Sequence, residues 1–453
     1  MLSSIYRKCI TYIESRGFNN LTFDKKAHQK IISDIKTKLF QCDDLRSGEM
    51  STLSILIRRS IAQFLGHKYW DDNIIDTLMR NTICILFIPI LTIYYLLIPY
   101  LKHPNNNNSD RLIAVLITDS LDDLFVYPFM QVYPAKSIVV NGKMRQLTWH
   151  DFLFITNLIK CFHKIVLYPE LLMRVIQRLS QYSYVIEKIN CKTIVTMSAE
   201  GSPWASILTA YCRMNNVEHV QIMHGIRFFS SQMAFAEFDK YYIWGQLHLE
   251  EFKKMYVNAS KFIIIGNPIH QQMFRDISSD ESLRSYHKLL ICFNYPIMTL
   301  DQMTLDIINV AKQFEKYGWQ IGFRPHPRRI QESSSFLEKI EDAIMTKIIV
   351  DNPKKTSLLD SVINSDVIIA SYTNALTDAW IAGKKCIYVY SPRIPLQEFH
   401  FSKNIKIYKT GDDLSDFILS PAVKDIDEWR LKNRFSYNFD SSKEVHEQGN
   451  KSI

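Results

Sequence analysis

Four short polar segments, each directly behind an apolar run of strand length, carry the residue types that could do chemistry in this chain. The first is Ser198-Ala199-Glu200-Gly201-Ser202-Pro203. A carboxylate beside a partly desolvated cleft has its pKa raised toward working pH, which suits Glu200 to take a proton from a hydroxyl. The same residues also suit the start of a helix, with Glu200 facing the dipole and Ser202 as the cap. The second segment is Gln221-Ile222-Met223-His224-Gly225-Ile226, where Gly225 lets the backbone turn sharply. Its His224 can be a base, a contact for an anionic group, or a structural histidine.

The third segment, Arg324-Pro325-His326-Pro327-Arg328-Arg329, sets one imidazole and three guanidiniums on a backbone stiffened by two prolines. That combination suits a phosphate or diphosphate leaving group, and the alternative is a basic surface turn. The fourth, Ala370-Ser371-Tyr372-Thr373-Asn374-Ala375, places hydroxyls at the start of a predicted helix, where backbone N–H groups can cradle a phosphate or the side chains can merely cap. Asp378, one turn further, is in reach of a donor sugar or ribose. No GxGxxG fingerprint, GxxxxGK[ST] loop or HExxH occurs, and no DxD lies between a strand and a loop where it would bind a divalent metal, so neither a cofactor nor a metal is expected.

The elements that must hold these segments follow from hydrophobic pattern. Short apolar runs predict buried parallel strands at Leu112–Thr118, Thr193–Met197 and His219–Met223, with a helix at Trp204–Met214 between the last two. The alternation resumes after the stretch Tyr241 to Met273. It predicts strands at Leu289–Phe293, Gln320–Phe323, Lys347–Val350, Val367–Ala370 and Lys385–Tyr390. Helices are predicted at Leu300–Tyr317, Phe336–Met345, Ser357–Asn364 and Thr373–Ile381. Two doubly wound α/β sheets in tandem are the consequence, and in such sheets ligands lie beyond the carboxyl ends of the strands. All four polar segments occupy that position.

At 453 residues the chain is long enough for two or three domains of about 100–200 residues each. A 47% hydrophobic and 22% charged composition is that of a folded globular protein. The net charge of +8 is spread along the chain, which fits an anionic ligand or a membrane surface and argues against a nucleic-acid partner. Eight scattered cysteines without a CxxC pair, and no cleavable signal pattern, fit a reducing cytosol. Residues 1 to about 75 read as an amphipathic helical appendage. Thr82 to Leu101 is free of charge and, at about 1.5 Å per residue, is just long enough for a bilayer core of about 30 Å. Pro89 and Pro99 weaken it as a spanning helix. Arg58, Arg59, Lys68 and Arg80 ahead of it would send the larger part of the chain out of the cytosol. A helix that docks on the membrane is preferred to a core helix, and a true span is the least favoured reading.

Taken together, QIMHGI at 221–226, YYIWGQ at 241–246, IIIGNP at 263–268, RPHP at 324–327 and SYTNALTDAWIAGKKCIYVY at 371–390 resemble the GT-B transferases of bacterial surface polysaccharide assembly. The similar families are the capsule Kdo-transferases, bacterial sialyltransferases and CDP-glycerol glycerophosphotransferases. The resemblance covers roughly Leu112 to Phe417. It implies two Rossmann-like domains facing a cleft: a helical region at 1–108 with the apolar helix 82–101, an acceptor-side domain at 109–275, a donor nucleotide-binding domain at 276–425 and a tail at 426–453. It also implies an inverting, metal-independent transfer from a nucleotide-sugar donor, a CMP-sugar being favoured, to a lipid-linked or polymeric glycan at the inner face of the cytoplasmic membrane.

Carried over residue by residue, the resemblance puts Glu200, Ser202, His224 and Gly225 on the acceptor side. Arg324, His326, Arg328, Ser371, Thr373, Asn374 and Asp378 go to the donor. Glu200 departs from the commoner Asp, and the helical region has no counterpart. A polyol-phosphate transferase, a non-catalytic membrane scaffold and, more distantly, a sugar epimerase are the rival classes.

Overall fold

The computed structural model describes residues 25–41, 44–45, 49, 51–71, 74–102, 112–118, 123–134, 136–142, 145–197, 199–223, 229–266, 287–292, 301–326, 330–353, 355–371, 373–390 and 404–422. They fall into two compact units, Met1–Pro268 with Asn438–Ile453, and Ile269–Tyr437.

The first unit opens with helices α1 (Lys25–Leu39), α2 (Leu53–Asp71) and α3 (Ile74–Lys102). It continues with β1 (Leu112–Thr118), α4 (Asp123–Val132), β2 (Ser137–Asn141), α5 (Trp149–Cys161), a 3-10 turn at His163–Leu167 and α6 (Pro169–Tyr184). Then come β3 (Cys191–Thr196), α7 (Ala205–Met214), β4 (Glu218–Ile222), β5 (Glu237–Ile243), α8 (Gln246–Lys254) and β6 (Asn258–Ile264). The six strands form one parallel sheet in the order β2-β1-β3-β4-β5-β6. Local chemistry sets the helix starts. Thr148 and Asp151 form a reciprocal capping box at α5, and Pro169 opens α6, where its missing N–H costs nothing.

The helical region expected as an appendage is instead part of this unit's core. Leu56, Ile57, Ile61 and Phe64 of α2 and Cys84, Leu91 and Tyr95 of α3 join one buried cluster with Leu171, Val175 and Leu179 of α6 and Ile207 and Leu208 of α7. The attachment is also electrostatic. Glu237, wholly buried on β5, receives Arg59 of α2 at 3.0 Å and Arg213 of α7 at 3.1 Å. The hydroxyl of Ser51 donates to the same carboxylate at 2.6 Å, as does the amide of Asn258 at 3.2 Å. A carboxylate buried there is tolerable only because so many donors converge on it.

The second unit runs β7 (Lys288–Cys292), α9 (Asp301–Lys316), β8 (Gln320–Arg324), α10 (Ile330–Glu341), β9 (Ile349–Val350), α11 (Leu358–Ile363), β10 (Val367–Ala370), α12 (Asn374–Ile381), β11 (Lys385–Val389), β12 (Ile405–Tyr408) and α13 (Ser415–Leu419). Its sheet is again parallel, in the order β12-β11-β10-β7-β8-β9. Counted from its own first strand, this is the 3-2-1-4-5-6 order of dinucleotide-binding folds. The fold is therefore α/β with two Rossmann-like sheets and an N-terminal helical region.

Several elements differ from the sequence expectation. The stretch from Tyr241 to Met273 holds the end of β5 and all of β6, and β2 and β12 were likewise not anticipated. The helix expected at Phe336–Met345 begins at Ile330, because Ser333, Phe336 and Ile340 together form its buried stripe and Ser333 breaks the apolar pattern. The strand expected at Lys347–Val350 shrinks to two exposed residues at the sheet edge.

Candidate functional site

In each sheet the strand order reverses once. In the first unit the reversal lies between β1 and β3, and in the second between β7 and β10. Crevices at such reversals, beyond the strand ends, are where doubly wound sheets take ligands.

At the first reversal the chain leaves β3 through Met197 and enters a single 3-10 turn, Ala199–Gly201, which carries Glu200. The Glu200 side chain is completely buried. The side-chain amide of Gln221, on the last turn of pleat in β4, donates to the Glu200 carboxylate. Through its carbonyl oxygen Gln221 accepts from the Thr196 hydroxyl at 2.8 Å and from the Ala199 N–H at 3.3 Å. One glutamine thus ties the ends of β3 and β4 to the acid. From the other side Gln63 of α2 donates to the backbone carbonyl of Glu200 and, at 2.9 Å, to that of Gln232. Ser202 does not cap the following helix: the residue at the α7 N-cap is Trp204, with no side-chain cap bond.

His224 and Gly225 lie outside the described residues, and what surrounds them is the informative part. Met223, just before, is wholly buried; its N–H donates to the Tyr242 carbonyl at 2.9 Å and its own carbonyl accepts from the Trp244 indole at 3.0 Å. Just beyond, the Ser231 hydroxyl donates to the Gly66 carbonyl at 3.0 Å and sits 3.1 Å from Nδ1 of His28. A Cβ on Gly66 would collide with the Ser231 carbonyl, so only glycine allows α2 to approach. Both flanks of the HG segment are fixed, one by the YYIW strand and one by the N-terminal helices. A second histidine near this edge, His219, is different in kind. It is buried against Tyr182 at 2.9 Å and Thr209 at 2.7 Å, and desolvation pushes its pKa down to about 3, with Arg213 adding to the shift. It is a neutral core residue.

At the second reversal, β10 ends at Ala370 and α12 begins at Asn374. Thr373 is the N-cap in extended geometry, and its hydroxyl accepts from the Ala375 N–H at 3.3 Å. The buried Ser371 hydroxyl donates to the Val389 carbonyl of β11 at 3.3 Å. Helix capping is therefore present, and it leaves the helix N-terminus at the crevice with its dipole available to an anion. The side chain of Asn374 and all of Arg328 lie outside the described residues. His326, two residues beyond β8, is exposed.

Arg324 is turned inward. Its guanidinium donates to the Ser361 hydroxyl at 2.6 Å and to the Thr356 carbonyl at 2.9 Å, and burial lowers its pKa. Expected as a direct phosphate contact, it instead braces the start of α11 behind the HP loop. Burial pushes the Cys292 thiol at the end of β7 up to about 12, with Arg324 opposing that shift and Asp351 and Asp378 adding to it. Half-buried Asp378 is thus in electrostatic reach of the last residue of β7, on the crevice side of the sheet.

Gln221, Gln63 and Trp244 are the residues that sequence reasoning did not assign. Trp244 could have been found, because a tryptophan in the YYIWGQ segment needs a partner for its N–H when buried. The two glutamines carry no pattern of their own. Among the described residues there is no group of three or more His, Cys, Asp or Glu side chains that could hold a metal ion.

No protein-family model and no curated protein sequence matches the chain. Similar solved structures include the UDP-GlcNAc 2-epimerase of Methanocaldococcus jannaschii in complex with UDP-GlcNAc and UDP. It is 13% identical, with a TM-score of 0.43, over 62% of this chain and 84% of that one. The UDP-GlcNAc 2-epimerase of Neisseria meningitidis bound to UDP-GlcNAc is 10% identical, with a TM-score of 0.44, over 76% and 100%. The wall teichoic acid polymerase TagF is 11% identical, with a TM-score of 0.35, over 70% and 80%. Likeness at this level carries no functional argument, and the architecture rests on the two strand orders themselves.

Proposed function

We propose that the chain is a glycosyltransferase of the GT-B type, moving a sugar from a nucleotide-activated donor to a bacterial surface polysaccharide or its lipid-linked precursor. The observation that carries this reading is the coincidence of the sequence's polar segments with the two sheet reversals. The Glu200 segment follows β3 at one, and the Ser371–Thr373 segment follows β10 at the other. The second unit supplies the donor site. The N-terminus of α12, His326 and Arg328 would meet the donor phosphates, and Asp378 the sugar or ribose. A CMP-sugar is the favoured donor, and a CDP-polyol is the main rival.

In the reaction a base removes the proton of an acceptor hydroxyl as its oxygen bonds to the anomeric carbon. The bond from that carbon to the phosphate oxygen breaks on the opposite face, and the nucleotide leaves with the electron pair. Helix dipole, imidazole and guanidinium stabilise the departing charge without a metal. Glu200 is one assignment for the base. Its complete burial and its bond to Gln221 favour a second, in which His224 takes the proton and Glu200 fixes the geometry of the neighbouring loop. The enzyme would work as a peripheral protein on the cytoplasmic face of the inner membrane.

The test is thermal stabilisation of the purified chain by CMP, CDP, UDP and GDP, repeated on His326→Ala. Selective stabilisation by one nucleotide, reduced in the variant, supports the donor site; no response to any of them overturns the transferase reading.

A further inference from the structure

Helix α3 has two apolar faces, and the protein covers only one. Cys84, Leu91 and Tyr95 are buried in the core of the first unit. On the outer side Met79, Leu86, Ile90, Ile93 and Leu97 recur at helical spacing and are 44–63% exposed. From Asn81 to Leu101 the helix carries no charged residue. At about 1.5 Å per residue the uncovered stripe from Met79 to Leu97 is about 27 Å long. Soluble monomers seldom leave an apolar face of that extent open to water.

A second exposed apolar surface is tied to this helix through Tyr95. The Leu147 N–H donates to the Tyr95 carbonyl at 3.1 Å, and the Arg145 guanidinium donates to the Tyr95 hydroxyl at 2.6 Å, pinning the entry to α5 against α3. Immediately after this pin, Trp149 is 67% exposed and stacks on Phe152 at 5.1 Å. Leu153, Val166 and Leu167 are exposed nearby. The exposed charges between Trp149 and Leu167 are Lys160 and Lys164, with His163 between them. The one acid in that stretch, Asp151, is fully buried and bonded to Ser183 and Tyr211.

We infer that these two apolar surfaces dock the chain on an anionic lipid bilayer, with α3 lying in the interface plane. Apolar stripe, tryptophan at the margin, and a basic rim are the features that interfacial helices use against anionic headgroups. A second copy of the chain fits worse, because this face offers no exposed acid to meet Lys160 and Lys164 of the other copy. A transmembrane path fits worse still. Residues Met79–Leu97 are long and apolar enough to cross. Their inner face, however, shares a core with α6, which carries Arg174 paired to Glu170 at 2.7 Å and would have to follow them into hydrocarbon.

The test is co-sedimentation of the full chain with vesicles of phosphatidylcholine, with and without phosphatidylglycerol. The wild type is expected to bind the anionic vesicles. The exposed-face triple variant Leu86→Ser, Ile90→Ser, Ile93→Ser should lose at least tenfold in binding with an unchanged melting temperature. Lys160→Glu with Lys164→Glu should remove the preference for anionic lipid. Failure of the wild type to bind either vesicle, unaltered binding by the triple variant, or a concentration-dependent dimer abolished by it would each overturn the inference. The inference is independent of the transfer reading: vesicle binding without any nucleotide response would keep this inference and lose that one.

Discussion

The two sheet reversals are built in opposite ways. At the first, the polar segments are held from several sides: Gln221 bonds the Glu200 carboxylate, Gln63 its backbone, Trp244 the residue before His224, and His28 the Ser231 beyond it. At the second, Ser371 and Arg324 are anchored into the sheet layer, while His326 is exposed. On the proposed reading, the first side must hold its groups still and the second must admit a charged ligand. Positioning of reacting groups tolerates little error, whereas a phosphate can be met by dipoles and mobile cations.

The largest effect expected from breaking the first side is on stability. Glu237→Ala would leave Arg59, 1% exposed, without its counter-charge, and should cost about 3–5 kcal/mol in urea unfolding. Next is a pH effect in the same unit. His219 is held neutral with a folded pKa of about 3, below the ordinary value of 6.5. Between those values the unfolded chain binds a proton that the native one does not, so stability falls as pH drops from about 6.5 toward 3. The loss should reach the order of a few kcal/mol, and His219→Gln should flatten the slope of unfolding free energy against pH.

A smaller and sharper probe is Gln221→Leu. Freed from its amide, Glu200 should lose its fixed place. Turnover is expected to fall about 10²-fold, measured as release of nucleotide from the donor, with donor affinity little changed. Last comes Thr373→Val on the second side, which removes a helix cap for about 1 kcal/mol of stability and should weaken nucleotide binding several-fold by calorimetry.

What the sequence disclosed follows the same physics. β10 and the middle of β1 are buried and both strands read as near-continuous apolar runs, so they were legible. β5, EFDKYYI, was not, because Glu237 and Asp239 look like surface residues until their partners Arg59 and Arg213 are brought to them from other helices. β2, β6 and β12 are short or outlying strands with mixed patterns. The candidate segments were legible by position, since each lies at or just beyond a strand end. Their roles were less so. Arg324 read as a phosphate ligand because its partners Thr356 and Ser361 lie far along the chain, and Gln63 and Gln221 are neutral amides that only tertiary structure distinguishes.

The central claim is the division of labour between the two sheets, and its most direct test is the nucleotide dissociation constant, by calorimetry, of Glu200→Gln beside His326→Ala. The account predicts wild-type affinity within about twofold for the first and a loss of tenfold or more for the second. Equal losses in both, or a loss confined to Glu200→Gln, would contradict it.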